Sequence, residues 1–303
     1  MSKKIFYNLK KKILITGASG FLGSNIISKL SKNKSLIIHG LVKNTSKIKY
    51  RYKYVRYIKA DITNLNSLKK KITENYDYII NFAGNINHKN RNQTYNAHFS
   101  GLKNLISVID THGLKLFIQI GSSLEYGDKK SPQDEKQICK PISHYGKSKL
   151  LSSNHIKKKI KNFIILRLYQ VYGPFQKNNR LIPIVIDSCL KNKSFECTDG
   201  SQLRDFLYVD DFTNLIIKIL KTKKILSGIY NVGYGKPIKV REIIKYINKK
   251  IGKGKALFGL IKMRKDEMTE SYPDIKKVKK IFSWSPKINF RIGLKKTIKH
   301  YET

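Results

Sequence analysis

The sequence has few cysteines, few acidic residues and no long apolar run. Its three cysteines are an odd number, and no two have CxxC or metal-ligand spacing, so we expect reduced thiols and no metal site. No apolar run approaches the roughly 18 to 20 residues that cross a bilayer. The basic segment of residues 1–12 precedes an apolar stretch that is too short for a signal peptide. We therefore expect a cytoplasmic protein without a membrane span.

The scarcity of acidic residues produces an extreme charge. The chain has 62 Lys and Arg against 20 Asp and Glu, a formal net charge of +42, and such a field attracts anions, including nucleic acid. The lysines are spread over the whole chain, which indicates a compositional bias and a solvated surface rather than a basic patch. No aromatic-basic stacking motif of the single-stranded RNA binders is present. Specific nucleic-acid binding is therefore not expected, and a real polyanion site is the alternative.

Apolar residues make up 40% of the chain, enough for a buried core. Short β-branched runs alternate with helical patterns up to Leu168, which predicts a parallel sheet with crossover helices. The predicted strands are Lys12–Thr16, Leu36–Val42, Tyr54–Lys59, Tyr78–Phe82, Leu116–Gly121 and Phe163–Leu168. The predicted helices are Phe21–Ser31, Leu65–Glu74, Gln93–Thr111, Ser143–Lys159, Ile182–Leu190, Asp211–Leu220, Val240–Ile251 and Asp274–Ile281.

These patterns predict an α/β protein with a doubly wound Rossmann sheet over residues 1–168 and a smaller mixed α/β lobe over 169–303. The chain is expected to cross back to the sheet near 205–233. The lobe should close over the carboxyl edge of the sheet, where open α/β sheets bind their ligands.

A glycine-rich loop, Gly17-Ala-Ser-Gly20-Phe-Leu-Gly23, connects the first strand to the first helix. Gly17 allows a tight turn, Gly20 lets a pyrophosphate approach the backbone, and Gly23 lets the helix pack close to the strand. The helix N-terminus then offers N–H groups and the positive end of its dipole to the phosphates. The loop predicts dinucleotide binding, in which Ser19, Phe21 and Leu22 also take part.

The end of the second strand bears on the choice of cofactor. NAD usually calls for an acidic residue there, which holds the ribose hydroxyls. The segment His39–Ser46 has no carboxylate, but its Lys43 and hydroxyl groups could hold a 2′-phosphate. This favours NADP, with NAD as the alternative. Asp61 and Ile62, just after the third strand, are placed to bracket the adenine, with a plain turn aspartate as the alternative for Asp61.

Tyr145 and Lys149 form a Tyr-x-x-x-Lys pair, and residues four apart share one face of a helix. An ammonium beside a phenol favours the phenolate, so we expect Lys149 to lower the pKa of Tyr145 and make it an acid/base. The spacing recurs elsewhere in the chain, but only this pair opens a helix after a strand that ends in Gly121-Ser122-Ser123. That strand would deliver the Ser122 hydroxyl to the same edge of the sheet.

Taken together, these segments resemble the extended short-chain dehydrogenase/reductase family, the NAD-dependent epimerase/dehydratase group. Asn81-Phe-Ala83-Gly84 resembles its fourth-strand motif, which lines the cofactor. Gly121-Ser-Ser-Leu-Glu-Tyr-Gly127 resembles the segment whose catalytic Ser or Thr aligns with Ser122. Tyr145 and Lys149 match its acid/base and its lysine. The resemblance also implies a homodimer, built through the helices Gln93–Thr111 and Ser143–Lys159.

Four later segments are similar to the family's substrate-side motifs: Arg167–Pro174, Arg204–Asp211, Tyr230–Gly233 and Trp284–Pro286. By this resemblance Arg204 and Arg264 contact the diphosphate of a nucleotide sugar, which suits guanidinium groups. An internal salt bridge is the alternative for each arginine. The resemblance further places four residues on the substrate side: Ser123, Gln170, Arg180 and Leu181.

Three departures from the family pattern limit the function. His98 stands where the family often has Asn, and Gln170 replaces the Asn common after the sixth strand. Family 4,6-dehydratases carry an acidic residue one or two positions after the catalytic Ser or Thr, where this chain has Ser123 and Leu124. Glu125 comes one position later and, on a strand-like segment, would point to the other face. Without a second acid/base pair, elimination of water is hard to run, which argues against a dehydratase.

Three functions remain. The first is reduction of a nucleotide-linked 4-keto-6-deoxyhexose at carbon 4 with NADPH, slightly favoured by the missing ribose-binding acid. The second is a nucleotide-sugar 4-epimerase with tightly bound NAD. The third, of another class, is a non-catalytic dinucleotide- or RNA-binding protein, against which the intact set of Ser122, Tyr145 and Lys149 speaks.

Overall fold

The computed structural model describes residues 10–85, 90–263 and 267–302. The chain builds a large parallel sheet, a smaller mixed sheet and a two-stranded sheet. The strands are β1 (Lys11–Thr16), β2 (Leu36–Val42), β3 (Val55–Lys59), β4 (Tyr78–Asn81), β5 (Leu116–Ser122), β6 (Phe163–Leu168), β7 (Gln170–Tyr172), β8 (Ser194–Cys197), β9 (Leu203–Tyr208), β10 (Gly228–Val232), β11 (Pro237–Lys239), β12 (Lys255–Phe258) and β13 (Glu270–Ser271). The helices are α1 (Phe21–Leu30), α2 (Leu65–Lys71), α3 (Arg91–Tyr95), α4 (Gly101–Val108), α5 (His144–Lys159), α6 (Leu181–Leu190), α7 (Val209–Lys221), α8 (Val240–Ile251), α9 (Lys276–Phe282) and α10 (Phe290–Glu302).

The large sheet has seven parallel strands in the order β3-β2-β1-β4-β5-β6-β10. Its β-branched runs are buried because helices cover both faces. On one face α1, α7 and α9 pack over residues such as Ile13 and Ile15, and on the other α2, α4 and α5 pack over residues such as Leu14. The predicted doubly wound Rossmann fold is therefore confirmed, and the reversal of strand order between β1 and β4 places the carboxyl-edge crevice there.

The second half of the chain contributes to both sheets. It supplies β10 to the large sheet, beside β6. It also forms a smaller sheet in which β9 pairs with β7, β11 and β13, while β8 pairs with β12. Helices α6, α8 and α10 bury a third apolar cluster against this lobe. None of the described helices combines the length and apolar composition of a bilayer span.

The structure differs from the sequence prediction in three local features. The helix predicted over Gln93–Thr111 is interrupted by a π-helical segment, Asn96–Ser100, between α3 and α4. Helix α10 was not predicted. The stretch Ser123–Glu125 is a 3-10 turn rather than a strand-like segment. A one-residue widening of a helix and a three-residue turn leave the apolar periodicity almost unchanged, so the pattern does not reveal them.

The contact between the glycine loop and α1 leaves no room for a side chain at Gly23. A Cβ atom built there would lie 2.3 Å from the Gly17 carbonyl oxygen. We expect Gly23→Ala to lower the free energy of unfolding by about 1–3 kcal/mol, because a rigid backbone group has to move. Thermal melting measures this, and Gly228→Ala is the matched control, since the nearest atom to its added Cβ is 3.6 Å away. Equal melting temperatures for the two variants would contradict the prediction.

Candidate active site

The glycine loop has the shape of a phosphate cradle. Gly17 adopts a φ of 63°, and a Cβ built there would meet the Phe82 carbonyl at 2.9 Å. Gly20 is the N-cap residue of α1 and gives no side-chain cap, and the first turn, which contains Phe21, Leu22 and Gly23, carries no acidic residue. The amides of this turn are therefore open to an anion, and the dipole of the ten-residue helix favours one. The loop fits the pyrophosphate of a dinucleotide.

The predicted adenosine end of the cofactor site lies beside this loop. Lys43 follows β2 and is exposed, and its Nζ lies 2.7 Å from Oδ2 of Asp61. Asp61 also accepts hydrogen bonds from the amide and hydroxyl of Thr63, as a turn aspartate does. The side chain of Ile62 is buried against α4. Ser19 helps to line a cavity of about 50 Å³ together with Lys49 and several tyrosines.

The end of β4 carries the next predicted cofactor residues. The Ala83 amide donates hydrogen bonds to Thr16 and Asn81, which fixes the chain after β4. A Cβ built at Gly84 would lie 2.2 Å from the His98 ring, so a larger residue there would force the buried ring to move. His98 sits in the π-helical segment, and its ring lies 5.0 Å from the Tyr145 ring, edge to face. This widened helix thus pushes His98 between the end of β4 and the predicted acid/base.

Ser122, Tyr145 and Lys149 meet at the carboxyl end of β5. Ser122 is the last residue of β5, and a hydrogen bond joins its hydroxyl to the Tyr145 phenol. Lys149 lies one turn after Tyr145 on α5, and its ammonium donates a 2.9 Å hydrogen bond to the Ile120 carbonyl in β5. The three groups therefore converge on one point.

The electrostatics differ from the sequence expectation. Burial raises the pKa of Tyr145 to about 12, although Arg180 and the hydrogen bond with Ser122 oppose this rise. Burial also lowers the pKa of Lys149 to about 8, and Glu125 opposes that fall. The expectation of a lowered Tyr145 pKa was wrong, because removal from water outweighs the opposing effects of Arg180 and Ser122, and the Lys149 ammonium gives its hydrogen bond to the Ile120 carbonyl. The resting phenol is thus a proton donor at neutral pH.

Sequence reasoning missed the group that lies behind this site. Glu125 is fully buried, and its Oε1 accepts a 2.9 Å hydrogen bond from the Ser122 amide. Its Oε2 accepts bonds from the Ser153 hydroxyl at 2.9 Å and from Arg167 Nε at 3.1 Å. The strand alternation behind the sequence expectation does not apply here, because a capping box in the 3-10 turn directs the Glu125 side chain to the Ser122 amide. One sequence signal was available: Ser153 lies four residues after Lys149, so it extends the same polar helix face toward β5.

The predicted substrate-side residues are spread more widely. Ser123 is buried in the turn after β5, Arg180 is the N-cap residue of α6 and Leu181 begins that helix. Gln170 is exposed in β7. Arg204, in β9, donates to the carbonyls of residues 203 and 268 and pairs with Glu267 at 3.2 Å. Arg204 thus makes the internal salt bridge named above as its alternative role, and Arg264 lies outside the described residues.

A strand order of 3-2-1-4-5-6, a glycine loop after the first strand and a Tyr–Lys helix beside the fifth define the extended short-chain dehydrogenase/reductase class. The family model of the NAD dependent epimerase/dehydratase family matches residues 13–233. The chain belongs to this family, which confirms the resemblance found in its motifs. Because the family consists of enzymes, membership favours an enzyme over the non-catalytic dinucleotide- or RNA-binding protein.

Individual relatives cover almost the whole chain. A Methanocaldococcus jannaschii protein, provisionally named UDP-glucose 4-epimerase, is 31% identical over 94% of this chain and 97% of its own length. The CDP-abequose synthase of Salmonella typhimurium is 25% identical over 96% of this chain and 98% of its own. A UDP-glucuronic acid 4-epimerase from Bacillus cereus, solved with NAD and a fluorinated UDP-sugar, superposes with a TM-score of 0.88 at 27% identity, covering 96% of this chain and 99% of its own.

The depressed pKa of Lys149 can be measured directly. Among isotope-labelled lysine side chains, we expect one Nζ signal to titrate near pH 8, well below the usual value of about 10.4. That signal should vanish in Lys149→Met and persist in Lys147→Met, which removes an exposed lysine from the same helix. Titration of every lysine near its usual pKa would contradict the burial described here.

Proposed function

We propose that this enzyme oxidises and reduces carbon 4 of a nucleotide-diphosphate sugar, and that it does so as a 4-epimerase that retains NAD. The observation that carries the proposal is the convergence of the Ser122 hydroxyl, the Tyr145 phenol and the Lys149 ammonium at the carboxyl edge of the sheet. The names of the Methanocaldococcus and Bacillus relatives support the epimerase form.

Tyr145 and Ser122 have different roles in the proton transfer. Tyr145 takes the proton from the sugar hydroxyl during oxidation and returns it during reduction, while Ser122 holds the same oxygen against it. The protonated resting phenol suits the reduction half directly. For the oxidation half the phenol must lose its proton, and the Lys149 ammonium, 5.6 Å from the centre of the Tyr145 ring, supplies positive charge that favours the phenolate.

The chain's own groups suit a bound dinucleotide. The first turn of α1 would hold the pyrophosphate, and Ala83 with Gly84 would line the nicotinamide half. When bound, NAD supplies the acceptor and later the donor of the hydride at carbon 4. Arg180, at the start of α6, has a charge that already reaches Tyr145, so it is placed to hold the anionic part of the substrate near the site.

Removing the phenol oxygen of Tyr145 tests its assignment as the acid/base. Tyr145→Phe should lower kcat about 10²–10⁴-fold with a carbon-4 substrate, because the proton carrier is lost. The dissociation constant for NAD, measured by fluorescence or calorimetry, should change little. Tyr54→Phe removes an exposed phenol as the control. Undiminished turnover by Tyr145→Phe, next to an active wild type, would refute the role of Tyr145.

The end of β2 supports a second candidate, the reduction of a nucleotide-linked 4-keto-6-deoxyhexose with NADPH. Lys43 stands there without an acidic neighbour in sequence, although it pairs with Asp61, and Lys49 lines the small cavity next to Ser19; either cation suits a 2′-phosphate, which supports this candidate. The two candidates differ in redox balance, because an epimerase consumes no cofactor and a reductase consumes one NADPH for each product.

A substrate panel separates the two candidates. The purified chain is incubated with UDP-glucose, UDP-glucuronic acid and a 4-keto-6-deoxy nucleotide sugar, each with NAD, NADH or NADPH. Interconversion of carbon-4 epimers without any change in absorbance at 340 nm supports the epimerase. Stoichiometric loss of NADPH absorbance with only the keto sugar identifies the reductase instead, and no reaction with any member of the panel argues against the proposed function.

We also propose a homodimer built through α3, α4 and α5. Tyr95 on α3 and Leu151 on α5 are exposed apolar side chains on this part of the surface, 41% and 42% exposed. Phe99 contacts both Tyr95 and His155, which links the two helical segments into one face. Light scattering on the purified chain tests this assembly, and a Leu151→Lys variant should favour the monomer.

A further inference from the structure

We infer that Glu125 is a positioning residue, a buried carboxylate that fixes Ser122 relative to the Tyr145–Lys149 face of α5. This inference rests on the proposed function for its catalytic readout. The hydrogen bonds of the Glu125 carboxylate go to Ser122, Ser153 and Arg167. It acts through the groups that do the chemistry.

Glu125 joins three elements at one carboxylate. Its Oε1 holds the amide of Ser122, the last residue of β5. Its Oε2 holds Ser153 on α5 and Arg167 on β6. Ser153 lies eight residues after Tyr145 and four after Lys149, so the three share one helix face. The carboxylate therefore sets the position of the acid/base helix against the strand that ends in Ser122.

The space around Glu125 is shaped for this side chain. A Cβ built at Gly121 would lie 2.6 Å from Oε1, so the strand leaves room for the carboxylate only because this residue is glycine. Arg167 is 2% exposed and lies over the Tyr126 ring at 4.4 Å. A buried carboxylate needs such a partner and full hydrogen bonding, and Glu125 has both.

Glu125 also contributes charge to the site. Its carboxylate raises the pKa of Lys149 against the opposing effect of burial. Other titratable groups face this pair among the described residues. Tyr145 lies on the same helix with the His98 ring packed on it, Arg180 lies at the start of α6, and Arg167 lies across the carboxylate with Tyr126 and Cys139 beside it. Glu125 is the anion among them, so its removal should make the Lys149 ammonium less stable.

The test compares variants that separate position from charge. Glu125→Gln keeps a hydrogen-bond acceptor but loses the charge, which leaves the buried Arg167 without its counter-ion. The double variant Glu125→Gln/Arg167→Met removes both buried charges and is compared with it. Ser153→Ala keeps the charge and removes only the bond to α5. Asp128→Asn removes an exposed carboxylate three residues away as the control. Each is assayed for melting temperature, NAD affinity, the pH profile of kcat and the lysine titration described above.

We expect both Glu125 variants to lower kcat about 10- to 100-fold with little change in NAD affinity. The Lys149 titration should move to lower pH by about one unit. The double variant should recover the melting temperature but not kcat, and Ser153→Ala should lower kcat while leaving the titration in place. Full recovery of kcat and of the Lys149 titration in the double variant would overturn the inference, since Glu125 would then only neutralise Arg167.

The same measurements distinguish failure of the proposed function from failure of the inference about Glu125. If the wild-type chain turns over no nucleotide sugar, the proposed function fails, and the lysine titration still decides the inference. An unchanged Lys149 signal in Glu125→Gln, or full recovery of the signal in the double variant, then overturns it, and a signal shifted in both variants supports it. If the wild type is active and Glu125→Gln matches it in kcat, pH profile and titration, the inference alone fails.

Discussion

The site depends on one hydrogen bond, from the Lys149 ammonium to the Ile120 carbonyl, because it docks α5 on the end of β5. Around this contact runs a chain of buried polar groups. Thr16 donates to Asn81, Asn81 to Gln119, and Gln119 to the same Ile120 carbonyl. The glycine loop after β1 and the acid/base helix are therefore tied to a common point inside the sheet. Rigid elements joined in this way hold reacting groups more closely than loops can.

Burial around this contact has opposite effects on the two titratable groups. It raises the pKa of the phenol and lowers that of the ammonium, so both move toward their neutral forms. Perturbed groups of this kind are characteristic of active sites. Loss of hydration is the largest effect on both pKa values, larger than that of any neighbouring charge. Residue spacing on a helix predicts which side chains are neighbours, but it does not predict how far water is excluded around them.

The sequence predicted the architecture well and the fine structure of the site less well. The strands that flank β1 were predicted to within about a residue, since β-branched runs buried on both faces leave a strong signal. The neighbours Ser122, Tyr145 and Lys149 were predicted because a strand end and a helix start are local features. Glu125 was not, because its partners Ser153 and Arg167 are distant in sequence. The π-helical segment and α10 were also missed, since a single inserted residue or a lysine-rich amphipathic pattern barely alters the periodicity.

Strand β10 also bears on how the chain can be divided. It comes from the second half of the sequence, yet it covers the edge of β6 along its length. A fragment ending at residue 168 would leave the row of N–H and C=O groups on β6 uncovered, next to an apolar surface. Such an open edge pairs readily with another chain, so an isolated N-terminal half would be prone to aggregate. We therefore expect the first half to need β10 from the second half in order to remain monomeric.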